Sequence, residues 1–119
     1  FRPFAPSILF EEKNNWFKNS HYNPYMSCVE QINDDKKDLI PGVTHIDGTG
    51  RVQTITKEFN EHFYNLIKSF SKISGVPILL NTSFNENEPV VRKPVEAINC
   101  FLRTEMDILV LEDFVVERN

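Results

Sequence analysis

The sequence predicts a mixed α/β (or α+β) domain, in which a twisted sheet carries helices packed against it. Apolar residues recur at helical spacing behind Asn60. Short apolar runs bounded by proline, glycine and asparagine lie on both sides of that segment and are typical of strands. The resulting order, β-β-β-α-β-α-β-β, favours a mixed sheet with helices on it.

The N-terminal half of the chain predicts short strands separated by turns. Residues 4–10 are expected to form a strand with an irregular start, because proline cannot donate to a ladder. The asparagine-rich stretch 11–24 indicates turns, with a short helix around Trp16. Alternating residues predict a strand over 25–32, and the charged run 33–38 predicts a solvated loop.

Two helices are predicted in the C-terminal half. Asn60 is a suitable N-cap, and Gly75 suits the left-handed residue that ends a helix. The apolar stripe of this first helix consists of Phe63, Leu66, Ile67, Phe70 and Ile73. Pro94 fits the first position of the second helix. The buried face expected for that helix consists of Ala97, Ile98, Phe101 and Leu102.

Four further segments predict strands around these helices. Residues 51–55 alternate in polarity, which indicates a strand with one buried face. The continuous apolar run 76–80 is typical of a strand buried on both faces. Residues 107–111 form another apolar strand, and 114–116 extend or follow it.

Composition and charge exclude several classes of protein. The chain has 119 residues, which fits one domain or a piece of a larger one. Its net charge of −4 argues against a general nucleic-acid-binding protein. No apolar run approaches the ~18 residues of a membrane-spanning helix, and no signal peptide is apparent. Because the chain opens at Phe1 without methionine, we expect a fragment of a longer protein.

The two cysteines indicate a reducing compartment. Cys28 and Cys100 lie 72 positions apart among apolar residues, so we expect two buried thiols rather than a disulfide framework or a zinc site. This usage predicts a cytoplasmic protein.

One candidate binding segment follows the apolar run 76–80. The Asn81 amide, the Thr82 and Ser83 hydroxyls and the backbone amides between them could converge on an anion. Ligands of open sheets tend to bind beyond the carboxyl ends of strands. The alternative is an Asx or Ser/Thr turn that only satisfies the backbone.

A second candidate is the loop that leads into the strand at 51–55. Gly48, Thr49 and Gly50 put flexible backbone beside Arg51, whose planar guanidinium suits bidentate hydrogen bonding to phosphate. The alternative is an arginine that is simply a charge at the edge of a sheet.

His45 and Asp47 stand two positions apart in the same loop. They could bind a metal or act as an acid–base pair. No third ligand lies near them in sequence, so a hydrogen-bonded loop is the favoured interpretation, and no metal site is predicted.

Several long strings resemble the NodU/CmcH-type carbamoyltransferases, in the same order and over nearly the whole chain. They are FRPFAPSIL (1–9), VTHIDGTGRVQT (43–54), LNTSFN (80–85), EPVV (88–91), CFLRT (100–104) and DILVL (107–111). Gly50 stands where that family has alanine, and Glu86–Asn87 replaces a three-residue segment with glycine. The family's GPRALG-type segment and a lysine belong upstream of Phe1.

The resemblance implies a two-part enzyme. An N-terminal domain of the actin-like ATPase type carries a metal and transfers the carbamoyl group to a hydroxyl. A C-terminal YrdC-like domain makes carbamoyl-adenylate from carbamoyl phosphate and ATP, which arrives with Mg²⁺. The chain is similar to the last part of that C-terminal domain, so its YrdC-like fold is expected to be incomplete and the isolated chain inactive.

The resemblance also implies a set of site residues. Arg51 should hold a phosphate or carbamoyl oxygen, and Ser83 should act beside it as the second catalytic residue. Asn81 should hydrogen-bond the carbamoyl or phosphate group, and Arg2 should line the same pocket. Further positions expected to line or support the pocket are Thr82, His45, Asp47 and Thr49.

A site shared by Arg51 and Ser83 makes a geometric prediction. Parallel strands joined through one helix would place these residues at opposite edges of the sheet, so the strands must be antiparallel or mixed. The two groups should then lie within about 10 Å of each other, because one phosphate and its attached group must bridge them.

Two rival interpretations remain open. The chain could be a module that binds a nucleotide or anion, or packs on its partner domain, without catalysis. RNA binding, known for some YrdC-like proteins, is disfavoured by the net charge of −4. The sequence identifies neither the hydroxyl acceptor nor whether the protein forms a homodimer.

Overall fold

The computed structural model of the chain describes residues 4–119. The chain divides into two units, the first ending at Thr82 and the second running from Ser83 to Asn119. The described residues form one mixed three-stranded sheet, two two-stranded sheets and three α-helices. This content confirms the predicted mixture of strands and helices. No described helix combines the length and the apolar character needed to cross a membrane.

The three-stranded sheet organises the first unit. Its strands, in spatial order, are β4 (Gln53–Ile55), β1 (Ala5–Leu9) and β5 (Ile78–Asn81). The central strand β1 pairs parallel with β4 and antiparallel with β5. Consequently β4 and β5 run in opposite directions, and the beginning of β4 lies at the same edge of the sheet as the end of β5. This confirms the mixed arrangement that the sequence predicted.

Helix α2 (Glu61–Ser74) covers one face of this sheet and begins and ends where the sequence predicted. Asn60 Oδ1 accepts a hydrogen bond from the Phe63 amide at 3.0 Å, and Gly75 has a φ of 76°. Buried Ile67 packs with residues of β1 and β4. The outer part of the stripe, which includes Ile73, stays exposed because three short strands offer too narrow a surface.

The other face carries the larger apolar cluster. Its buried members are Ile8, Trp16, Phe17, Ile32, Ile40, Val43, Val52 and Ile78. Most of these residues come from the irregular segment 10–52, which connects β1 to β4. This segment includes α1 (Lys13–Trp16) and the short ladder of β2 (Glu30–Gln31) with β3 (Thr49–Gly50). The helix expected around Trp16 is confirmed.

The strand predicted over 25–32 is mostly wrong, since only β2 forms within it. Asn23 turns the chain here: its Oδ1 accepts from the Ser27 amide at 3.0 Å, and its Nδ2 donates to the Val52 carbonyl at 3.1 Å. Met26 takes a positive φ of 55° within that turn, which extended backbone does not allow.

The second unit consists of helix α3 (Pro94–Arg103) and a hairpin of β6 (Ile108–Leu111) with β7 (Phe114–Glu117). Its small core joins Ala97 and Phe101 to Leu109. The predicted helix and both strands are confirmed. Ile98 and Leu102 were wrongly placed on the buried face, because the hairpin covers only one row of the helix.

Two burial predictions are wrong. Strand β5 lies at the edge of the sheet, so Leu80 is 49% exposed rather than buried on both faces. Cys28 is exposed on the irregular segment, whereas Cys100 is buried in α3 as expected.

Candidate functional site

Arg51 and Asn81 approach the same edge of the three-stranded sheet. Asn81 ends β5 and pairs with Ala5, while Gln53 begins β4 and pairs with Ser7. Arg51 precedes the first residue of β4 by two positions, so it comes just before this end of the strand. Where the strands are paired, two strand spacings, about 10 Å, separate β4 from β5 across the central strand β1.

Side-chain alternation assigns Gln53 to the α2 face of the sheet. Ile55, two positions further along β4, packs there with Ile67 of α2. Alternate side chains of a strand share a face, so Gln53 lies on the same side as Ile55. Arg51 is exposed, and no ion pair of its guanidinium is described among residues 4–119. This leaves a cation available to an anion at the edge of the sheet.

Gln53 holds the side chains at this edge together. Its Nε2 donates to the Pro24 carbonyl at 3.0 Å. Its Oε1 accepts two hydrogen bonds, both of 2.8 Å, from Ser7 Oγ and from Asn81 Nδ2. Ser7 is fully buried, while Gln53 and Asn81 are half-buried. The amide of Asn81 is thus fixed by a network that begins on the main chain.

Sequence reasoning missed Gln53, although it lies within one of the strings that carry the family resemblance. A glutamine between the buried residues Val52 and Thr54 was the available signal, because a half-buried amide needs partners. Those partners come from residues 28 to 46 positions away, so the sequence alone could not identify them.

The structure shows a hydrogen-bonded loop at His45, Asp47 and Thr49, as the sequence favoured. The Thr49 hydroxyl donates to Asp47 Oδ1 at 2.6 Å and lies 3.1 Å from His45 Nδ1. A hydroxyl has one proton, which goes to Asp47, so this hydroxyl accepts a hydrogen bond from His45 Nδ1–H. The Thr49 hydroxyl and amide lower the pKa of Asp47 below its usual value. That His45, Asp47 and Thr49 line a ligand pocket stays a prediction.

The remaining predicted residues are placed as follows. Thr82 and Ser83 are exposed, and Ser83 belongs to the second unit. Its proximity to Arg51 stays a prediction. The described side-chain hydrogen bond of Asn81 goes to Gln53, which does not support the alternative of a simple Asx turn. Arg2 lies outside the described residues.

A further pocket within residues 4–119 lies apart from the predicted site residues. An open pocket of about 340 Å³ lies beside the segment 18–31 and contains none of the predicted site residues. No group of three or more His, Cys, Asp or Glu side chains in this part of the chain could hold a metal ion.

Comparison with known proteins identifies the family. The chain is 41% identical to the nodulation protein NolNO of Sinorhizobium fredii over 122 residues, and 39% identical to the nodulation protein NolO of Bradyrhizobium diazoefficiens over 122 residues. Each match covers 99% of this chain but only 18% and 22% of the relative. The family model described as carbamoyltransferase C-terminus matches residues 1–118. The chain therefore belongs to the carbamoyltransferase C-terminus family.

Proposed function

We propose that this chain is the C-terminal part of an O-carbamoyltransferase and contributes to the site that forms carbamoyl-adenylate. The substrates are carbamoyl phosphate and ATP with Mg²⁺, and the carbamoyl group finally reaches a hydroxyl acceptor. The N-terminal part, an actin-like ATPase-type domain, carries out that transfer. The chain spans about a fifth of the length of the relatives it matches, which leaves room for such a domain in a protein of their size.

The observation that supports this proposal most strongly is the shared sheet edge of Arg51 and Asn81. Family membership supplies the class of reaction, and in the sheet the beginning of β4, which Arg51 precedes, and the end of β5, formed by Asn81, lie at the same end. An exposed guanidinium and a hydrogen-bonded amide at one end of a sheet could offer a cation and directed hydrogen bonds to a ligand. These are the groups that a carbamoyl phosphate or an adenylate requires.

The reaction balances with one water molecule. Water takes the phosphoryl group of carbamoyl phosphate and releases inorganic phosphate and carbamate. A carbamate oxygen then attacks the α-phosphorus of ATP, and pyrophosphate leaves with the electron pair of the broken P–O bond. Negative charge accumulates on the phosphoryl oxygens in both steps, so Arg51 would act by neutralising charge and positioning the reactants.

The proposal is tested by measuring pyrophosphate release in the full-length protein. Wild type should release pyrophosphate only when carbamoyl phosphate and ATP are both present. Arg51→Ala should abolish release without unfolding the protein, and Arg51→Lys should rescue it poorly because lysine lacks the bidentate fork. The matched control is Arg92→Ala, since Arg92 is an exposed arginine of the second unit.

Two outcomes would contradict the proposal. A wild-type protein that binds carbamoyl phosphate or ATP in isothermal titration calorimetry but releases no pyrophosphate would be a binding module. An Arg51→Ala protein with wild-type turnover would show that Arg51 is only a structural charge and that the site is misplaced.

A further inference from the structure

Tyr25 and Phe59 form an exposed aromatic pair in the first unit. Their ring centroids lie 5.8 Å apart and the ring planes meet at 79°, which is an edge-to-face arrangement. Phe59 directly precedes Asn60, the N-cap of α2, so the pair stands where that helix begins. Tyr25 is nevertheless 76% exposed, and Phe59 is 41% exposed. Most of the tyrosine side chain is therefore open to a flat ligand.

A tight turn holds the main chain on both sides of Tyr25. The Asn23 carbonyl accepts from the Thr54 amide of β4 at 3.0 Å, and the Asn23 amide donates to Thr54 Oγ1 at 2.8 Å. Beyond Tyr25, the Ser27 amide donates to Asn23 Oδ1 at 3.0 Å. A ligand would thus meet a ring whose backbone is already ordered, which lowers the entropy cost of binding.

The same turn connects Tyr25 to the candidate site. The carbonyl of Pro24 accepts from Gln53 Nε2 at 3.0 Å, and Gln53 Oε1 accepts from Asn81 Nδ2 at 2.8 Å. The Pro24 oxygen and the Asn81 amide nitrogen therefore lie within about 8 Å of each other. Gln53 faces α2, and the Tyr25 ring meets Phe59 at the start of that helix, so both lie on one side of the sheet. A ligand held at Asn81 can extend over Gln53 to Tyr25.

We infer that Tyr25 stacks on the adenine base of ATP, with Phe59 packed beside its ring, while the phosphates lie at the Arg51 and Asn81 end of the sheet. This inference rests on the proposed function, which makes ATP a substrate. An adenylate has a flat aromatic base at one end and a phosphate at the other, joined by a ribose. The exposed ring suits the base, and the guanidinium of Arg51 suits the phosphate. Every base has a π face, so the stacking adds affinity with little selection among bases.

Calorimetric titration of the full-length protein with ATP and with inorganic tripolyphosphate, both with Mg²⁺, tests the stacking. Tripolyphosphate has the phosphates of ATP but no base. Tyr25→Ala should weaken ATP binding about tenfold and leave the Kd for tripolyphosphate unchanged. Tyr25→Phe keeps the ring and should keep the wild-type affinity. In assays of pyrophosphate release, Tyr25→Ala should raise KM for ATP and leave KM for carbamoyl phosphate unchanged.

Tyr22→Ala is a matched control. Tyr22 is 56% exposed, and its ring meets Phe10 with the same geometry, 5.8 Å between centroids and 79° between planes. Phe10 follows the last residue of β1, whereas Asn81 pairs with Ala5, the first residue of that strand. Removal of the Tyr22 ring should therefore leave ATP binding unchanged. The fluorescence of Trp16, which is buried in the first unit, reports whether each variant is folded.

The outcomes separate this inference from the proposed function. A folded Tyr25→Ala protein that binds ATP as wild type does, or that loses affinity for ATP and tripolyphosphate equally, overturns the stacking alone. An equal loss of ATP affinity in Tyr22→Ala also overturns it, because the position of the ring would then not matter. A wild type that binds ATP through Tyr25 but releases no pyrophosphate overturns the proposed function alone. A wild type that does not bind ATP overturns both.

Discussion

Ile67 and Ile73 of α2 provide a matched test of how the first unit is stabilised. Ile67 is fully buried against β1 and β4, whereas Ile73 is 86% exposed on the same helix. Ile67→Ala should cost about 3 kcal/mol, the middle of the range for large-to-small changes in a core. Ile73→Ala should cost nearly nothing, because it removes no buried surface and alanine favours the helix by a few tenths of a kcal/mol.

Thermal or urea unfolding followed by Trp16 fluorescence measures both effects. Trp16 is the only tryptophan and is buried in the first unit, so the signal reports that unit's unfolding. For a first unit that ends at Thr82, 1 kcal/mol corresponds to about 6 °C in Tm, so Ile67→Ala should lower Tm by about 18 °C. Equal shifts for the two variants would refute the packing of α2 on the sheet.

Three further predictions concern the thiols, the loop at Asp47 and the isolated chain. A thiol reagent should modify Cys28 in the native protein and Cys100 only after unfolding, because burial raises the pKa of the Cys100 thiol; two fast-reacting thiols would contradict this. Thr49→Val should raise the pKa of Asp47 toward its ordinary value in an NMR titration. A carboxyl group whose pKa is lowered in the folded state stabilises the fold at pH values above its unfolded-state pKa, and this stabilisation is lost as the pH falls. The decrease in the free energy of unfolding caused by Thr49→Val should therefore be largest near neutral pH and vanish in acid. The isolated 119 residues should release no pyrophosphate, and turnover by a preparation free of other enzymes would refute that.

Local signals explain what the sequence could predict of the fold. Asn60 and Gly75 act within one turn of the helix that they bound, so their residue types were sufficient evidence. Pro94 likewise begins α3 without help from distant residues. The strand at 25–32 failed because alternation does not reveal that Asn23 bonds to Ser27 and to the neighbouring strand. A tertiary hydrogen bond overrode the local pattern.

The same distinction applies to the candidate site. Arg51 and Asn81 could be predicted from the sequence as candidates for anion binding, because their residue types and the family strings point to that role. The hydrogen bonding of the Asn81 amide could not be predicted from the sequence. It depends on Gln53, which is itself held by hydrogen bonds to Pro24 and Ser7. Sequence patterns thus pointed to this end of the sheet, and the hydrogen-bond network shows how the Asn81 amide is held there.

The central claim is that carbamoyl phosphate binds at the sheet edge formed by Arg51 and Asn81, and a crystal structure of the full-length protein with this ligand tests it most directly. The account predicts an oxygen of the ligand at ~2.7–3.2 Å from the Arg51 guanidinium and a hydrogen bond of similar length between the ligand and the Asn81 amide. It also predicts that the Ser83 hydroxyl lies within about 10 Å of that guanidinium, the span of one ligand held at both ends. A ligand bound elsewhere, with no contact to either residue, would contradict it.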